Sequence, residues 1–162
     1  MIDLATINQF HTSSVARWHQ EPLDQPFGDP MLAVETTGNI LAIICQQHQF
    51  NYLLWHEEDI ARSVDVSEAQ IAQVKRNIDK YNQARNDWIE KVDDWITSDL
   101  QRKNIQPAAQ AKLNTETPGS AIDRLSIMSL RIYHLEEQLE RSDIDQAHID
   151  KVSHRLAVCR LQ

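Results

Sequence analysis

Apolar residues recur along this chain at steps of three and four rather than two, the signature of helices packed by one face. From Asp3 to about His19, Leu4, Ile7, Phe10, Val15 and Trp18 fall at helical spacing, and Asp3 can cap the start. Pro22, Pro26, Gly28 and Pro30 then crowd together and predict a connector. Asp29 followed by Pro30 reads as the cap and first-turn proline of a second helix, with a break or bend near Thr37 and Gly38 and an end at about Arg62. Ser67 and Gln70 form an S-x-x-Q capping box, with Val66 and Ile71 placed as a hydrophobic staple. From there Ile71, Val74, Ile78, Tyr81, Arg85, Trp88, Val92 and Trp95 trace a heptad seam. It predicts a helix to about Arg102, about 50 Å long at about 1.5 Å per residue. The short link between these two helices predicts an antiparallel hairpin.

Asn104 to Thr115, with Pro107, reads as a loop or weakly helical connector. Thr117 caps a further helix with Pro118 in its first turn and Ile122, Leu125, Ile132, Leu135 and Leu139 as its apolar stripe. Asp143 or Asp145 starts the last helix, in which Ile149, Val152, Leu156 and Cys159 repeat. The pattern therefore predicts an all-α fold, an elongated antiparallel bundle of four to five helices in one domain over 1–162. Within it, 1–29 holds the N-terminal helix and Pro-rich connector, 30–103 the long hairpin and 116–161 two further helices.

Composition supports that class: 162 residues suffice for one core, and 3 Gly with 5 Pro are too few for the turns of an all-β fold. Sixteen Lys plus Arg against 24 Asp plus Glu give a net charge of -8, which argues against a general binder of nucleic acid or anionic membranes. A local basic pocket stays open. Cys45 and Cys159 lie far apart among apolar neighbours and read as reduced core residues. The stretch holding Asp3, Asn8, Gln9 and His11 lacks the features of an export signal, and the apolar run from Ile40 to Cys45 is too short to span a bilayer. The expectation is a cytoplasmic protein without membrane insertion.

Polar residues on the apolar seams change the picture most. The stripe Ile40, Ile44, Gln47, Asn51, Leu54, Glu58 turns polar toward its C-terminal end. Arg85 sits on the heptad seam between Tyr81 and Trp88, Asn82 lies beside it, and Ile122, Ser126, Ser129, Tyr133 and Glu136 form another mixed stripe. A buried arginine without a partner costs several kcal/mol, so Arg85 demands a carboxylate, with Glu58, Asp59 and Asp123 as candidates. Counting outward from the turn offsets Glu58 from Arg85 by about 13 Å at about 1.5 Å per residue. Gln47, His48 or a group on the helix after Pro118 are therefore alternative partners. The inward polar set reads either as a network that fixes helix register or as a ligand pocket between helices.

Two segments bear on the pocket. In Trp55-His56-Glu57-Glu58-Asp59, His56 and Asp59 lie three apart on one helical face and can hold a divalent metal together; solvated acids near a helix end are the plainer reading. In Thr115-Glu116-Thr117-Pro118-Gly119-Ser120, with Asp123 and Arg124 following, a helix start with hydroxyls, a glycine and a nearby arginine can cradle phosphate, and ordinary capping explains the same residues. The chain has no pair of E-x-x-H motifs, no C-x-x-C, no G-x-S-x-G and no P-loop. His134, His148 and His154 read as surface or helix-end residues rather than ligands.

The blocks Trp55-His56-Glu57-Glu58-Asp59-Ile60-Ala61-Arg62, Asn82-Gln83-Ala84-Arg85-Asn86-Asp87 and Asn114-Thr115-Glu116-Thr117-Pro118-Gly119-Ser120, the last continuing through Ile122-Asp123-Arg124-Leu125-Ser126-Ile127, resemble a bacterial family catalogued only as a domain of unknown function. The resemblance covers about residues 48–140. It implies an all-α cytoplasmic protein, sometimes encoded among genes for cell-envelope sugar or lipopolysaccharide assembly, and brings no established reaction. Similar proteins carry further helix and a basic, aromatic tail; if that tail contributes to a pocket, the resemblance implies that this chain either lacks that part or borrows it from a partner subunit.

The expected function is the binding of a small anionic ligand, a phosphate or sugar nucleotide, among the helices. Asn51, Asn82, Arg85, Thr115, Thr117, Asp123 and Arg124 are the candidate ligand-binding residues. His56, Glu58 and Asp59 are candidates to act as acid and base, with His56 and Asp59 also the candidate metal ligands. The alternative is a non-enzymatic adaptor or homo-oligomer that pairs through Tyr81, Trp88 and Trp95, with the inward polar residues as a structural network.

Overall fold

A computed structural model describes residues 3–21, 23 and 40–162. It contains five helices and no strand among those residues: α1 (Leu4–Gln20), α2 (Ile40–Arg62), α3 (Glu68–Arg102), α4 (Pro118–Glu140) and α5 (Gln146–Leu161). The proline-rich connector, the Asp29-Pro30 start and the bend at Thr37 and Gly38 lie outside the described residues. The all-α class holds.

The capping residues form as their chemistry dictates. Asp3 accepts from Thr6, Thr117 from Ser120 and Asp145 from His148, each satisfying an amide that the first turn leaves without a helical partner. At α3 the capping box is complete, with Ser67 bonded to the Gln70 amide and the Gln70 side chain returned to the Ser67 amide. The segment 104–116 contains no helix, and Asn104 at its start has a φ of 52°, a left-handed conformation that asparagine tolerates.

α2 and α3 form the antiparallel hairpin, locked near the turn by a 2.7 Å bond from Asn77 Nδ2 to Glu57 Oε1 and farther along by Phe50 against Tyr81. α1 and α4 close over the hairpin, so α2 lies among α1, α3 and α4 and is buried continuously from Gln46 to Leu54. One apolar cluster gathers Ile7, Ile44, Phe50, Trp88, Val92 and Ile122; a second gathers Val15, Trp18, Tyr52, Leu53 and Leu130. Among the described residues α5 packs on α4 alone, through Leu135, Val152, Leu156 and Cys159. Cys159 is buried, Cys45 half-buried, and both are free. No helix among the described residues is long and apolar enough to cross a membrane.

Candidate functional site

Burial of α2 from Gln46 to Leu54 carries the polar residues of that stretch into the interior, where each needs a partner. Asp123 of α4 supplies the hub. Its side chain is only 5% exposed, and it accepts from Arg85 Nε at 2.8 Å, from Arg85 Nη2, from Asn51 Nδ2 at 2.9 Å and from Gln47 Nε2. Asp123 thus answers the demand of Arg85. Glu58 and Asp59, the other carboxylates expected for that role, turn to Arg62 within their own helix at 3.2 Å each.

The network continues inward. Asn51 Nδ2 also donates to Ser126 Oγ at 2.8 Å, and Ser126 Oγ lies 2.7 Å from His48 Nδ1. His48 Nε2 is 3.2 Å from the His11 carbonyl, which only accepts, so the Nε2 proton is fixed and Ser126 donates to Nδ1. His11 and His48 are both fully buried with ring centroids 4.4 Å apart. Desolvation pushes the His11 imidazole down to about 4, and desolvation with the neighbouring His11 ring holds His48 well below the ordinary value. Both are neutral at pH 7.

At its outer end the network opens into a cleft of about 230 Å³ between α2, α3 and α4. Asn51, Trp55, Glu58, Arg62, Asn82 and Arg85 line it, over an apolar floor of Leu54, Ile127 and Leu130. The structure therefore brings together Asn51, Asn82, Arg85 and Glu58 of the expected set, with Asp123 directly behind. Arg85 is 24% exposed, and its bonds to Asp123 leave Nη1 uncommitted among the described residues.

The helix start at Thr117 lies apart from this set. Thr117 caps its own helix, Arg124 is exposed and paired with Glu116, and Thr115 is exposed. The Gly119 amide donates to Asp93 Oδ1 of α3 at 2.7 Å, so a carboxylate of the chain itself sits where an anion was expected. Gly119 is needed for that approach: a Cβ there would come 2.5 Å from the Ile89 carbonyl oxygen.

His56 departs from the expected pairing with Asp59. One ring nitrogen each from His19 of α1, His56 of α2 and His134 of α4 lie within 4.8 Å of one another, all three half-buried. His134 is therefore no surface residue, in contrast to the exposed His148 and His154. His19 stacks on Tyr133 at 4.1 Å, His134 stacks on Trp55 at 4.8 Å with rings 4° from parallel, and His56 meets Tyr52 edge-on at 4.4 Å. Burial lowers His56 and His134 below the ordinary imidazole value; for His56 the other two rings add to that. The sequence does not single out His19, and it sets His134 aside as a surface or helix-end residue; the three rings come together only through the packing of α1, α2 and α4.

No curated protein and no solved structure matches the chain. A family model does, and it reaches beyond the span of the three sequence blocks to take in α2 from its second residue, the whole of α3 and α4, and α5. The chain belongs to the family described as protein of unknown function (DUF4254), whose model matches residues 41–162.

Proposed function

We propose that this protein binds a small phosphorylated ligand in the cleft between α2, α3 and α4. The observation that carries the reading is the posture of Arg85: Asp123 grips Nε and Nη2 from the buried side, Nη1 has no partner among the described residues, and the side chain lines the cleft. A guanidinium fixed in this way loses little side-chain entropy on meeting an oxyanion, and a second arginine, Arg62, lines the same space. Asn51 and Asn82 add amide groups, Trp55 an apolar ring, and Glu58 is the one carboxylate in the lining among the described residues. This composition suits a sugar carrying a phosphate. At about 230 Å³ the cleft is smaller than the roughly 300–1,000 Å³ of sites for drug-sized ligands, which favours a single sugar phosphate over a whole sugar nucleotide.

Cell-envelope sugar metabolism in the cytoplasm, which the family resemblance implies, supplies ligands of this class. The adaptor reading has less support, because Trp88 is 1% exposed and Tyr81 and Trp95 pack against the chain's own core. Thermal melting with inorganic phosphate, a hexose phosphate and a nucleoside-diphosphate sugar tests the proposal. A saturable rise of the midpoint with the hexose phosphate, lost in Arg85→Met, is expected. No rise with any of the three contradicts it.

A further inference from the structure

We propose that His19, His56 and His134 form a three-imidazole site for a divalent transition metal of the zinc class. This goes beyond the anion-binding cleft and stands without it. Hydrogen bonds to the ring nitrogens carry the assignment. His19 Nδ1 lies 2.8 Å from the Val15 carbonyl oxygen and His134 Nδ1 lies 2.9 Å from Glu137 Oε2. Both partners accept only, so both Nδ1 atoms carry the proton and both Nε2 atoms present a bare lone pair. The Nε2 atoms of His19, His56 and His134 are all buried, and none has a hydrogen-bond partner among the described residues. Leaving a buried polar nitrogen unsatisfied costs about 1–3 kcal/mol, and three together beside one another cost more. A cation removes that cost at a single stroke.

The surroundings match what such a site needs. A metal-bound imidazole ordinarily donates its other nitrogen to a carbonyl or carboxylate, which is what Val15 and Glu137 provide. Tyr133, Trp55 and Tyr52 hold the three ring planes. With metal–nitrogen distances of about 2.0–2.1 Å, tetrahedral ligands stand about 3.3 Å apart. From a separation of at most 4.8 Å, each nitrogen moves inward by less than about 1 Å to reach that spacing. Three nitrogen donors select zinc, cobalt, nickel or copper over magnesium or calcium, and three protein ligands leave a coordination position open. A cavity of about 450 Å³, lined by His134, Trp55, Asp59 and Glu137, adjoins the group on its His134 side.

The test is titration of the chelator-treated protein with Co²⁺ alone, then Zn²⁺ alone. The site predicts the visible absorption of tetrahedral Co²⁺, saturating at one metal per chain and displaced by Zn²⁺, and a raised melting midpoint. His56→Gln and His134→Gln must abolish the band, while Asp59→Asn and His154→Gln must keep it. Because a substitution within the ring cluster can unfold the helices, imidazole ¹⁵N spectra of the unaltered protein carry the decision independently. Zn²⁺ must shift the His19, His56 and His134 resonances and leave His148 and His154 in place. Absence of any band, or shifts confined to His148 and His154, overturns the proposal.

Discussion

Arg85 Nε donates to Asp123 Oδ1 at 2.8 Å across the α3–α4 interface, and Nη2 reaches the other carboxylate oxygen, so one two-pronged pair joins the buried network to the open cleft. Both the stability of the fold and the proposed binding are expected to depend on it, but not equally at each residue.

Removing the hub charge strands its donors. Asp123→Asn leaves Arg85 without its counter-charge and is expected to destabilise the fold by about 3 kcal/mol, the low end of the range for breaking a buried pair because Arg85 retains some solvent contact. Arg85→Met added to it recovers part of that loss, since the uncompensated charge is then gone. Urea denaturation of the single and double variants measures both, and a single-variant loss below about 1 kcal/mol would count against the buried pair.

Arg62 separates binding from folding. Its side chain is 67% exposed and its pairs with Glu58 and Asp59 lie on the helix surface, a class of interaction worth at most about 1 kcal/mol. Arg62→Ala should therefore leave the melting midpoint nearly unchanged while weakening hexose phosphate binding about tenfold, as expected for one lost charge-assisted bond. Calorimetric titration of the variant checks this.

Acid should unfold the protein through its interior histidines. His11 has its folded value lowered from 6.5 to about 4, so the unfolded state takes up a proton first. Stability is full above about pH 6.5 and falls as the pH drops toward 4, by about 3 kcal/mol from this residue. His48 shifts in the same direction and steepens the loss. Denaturation midpoints across pH 4–7.5 measure the slope, and His11→Leu should flatten it. A stability that rises on acidification over this interval would contradict the buried neutral pair.

Gly119→Ala weighs two opposed effects. Alanine gains about 1 kcal/mol over glycine in a helix, but its Cβ would meet the Ile89 carbonyl oxygen at 2.5 Å, and that backbone cannot swing aside. Overpacking of this kind costs about 1–3 kcal/mol, so a net loss of stability is expected in thermal melting.

The helix order, the caps at Asp3, Ser67 and Thr117 and the demand of Arg85 for a carboxylate were all legible in the sequence, because each follows from local spacing or a single desolvation cost. The inward turn of Gln47 and Asn51 was legible as a stripe. Burial of Gln46 and Gln49 was not, because it arises from packing on more than one side of α2. Whether the start of α4 faces a ligand or Asp93 was equally hidden, since a free and an occupied helix end share one sequence pattern. The histidine group was hidden for the same kind of reason: its members come from three helices, and no spacing along one of them brings His19, His56 and His134 together.

A ¹⁵N spectrum of the protein titrated with hexose phosphate reports on whether the Arg85 cleft is the ligand site. Binding in the cleft must move the Arg85 Nε–H, the Asn82 side-chain amide and the Trp55 indole resonances together and to saturation. Movement confined to the amides of Gly119 and Ser120, or no movement at the cleft, would contradict it.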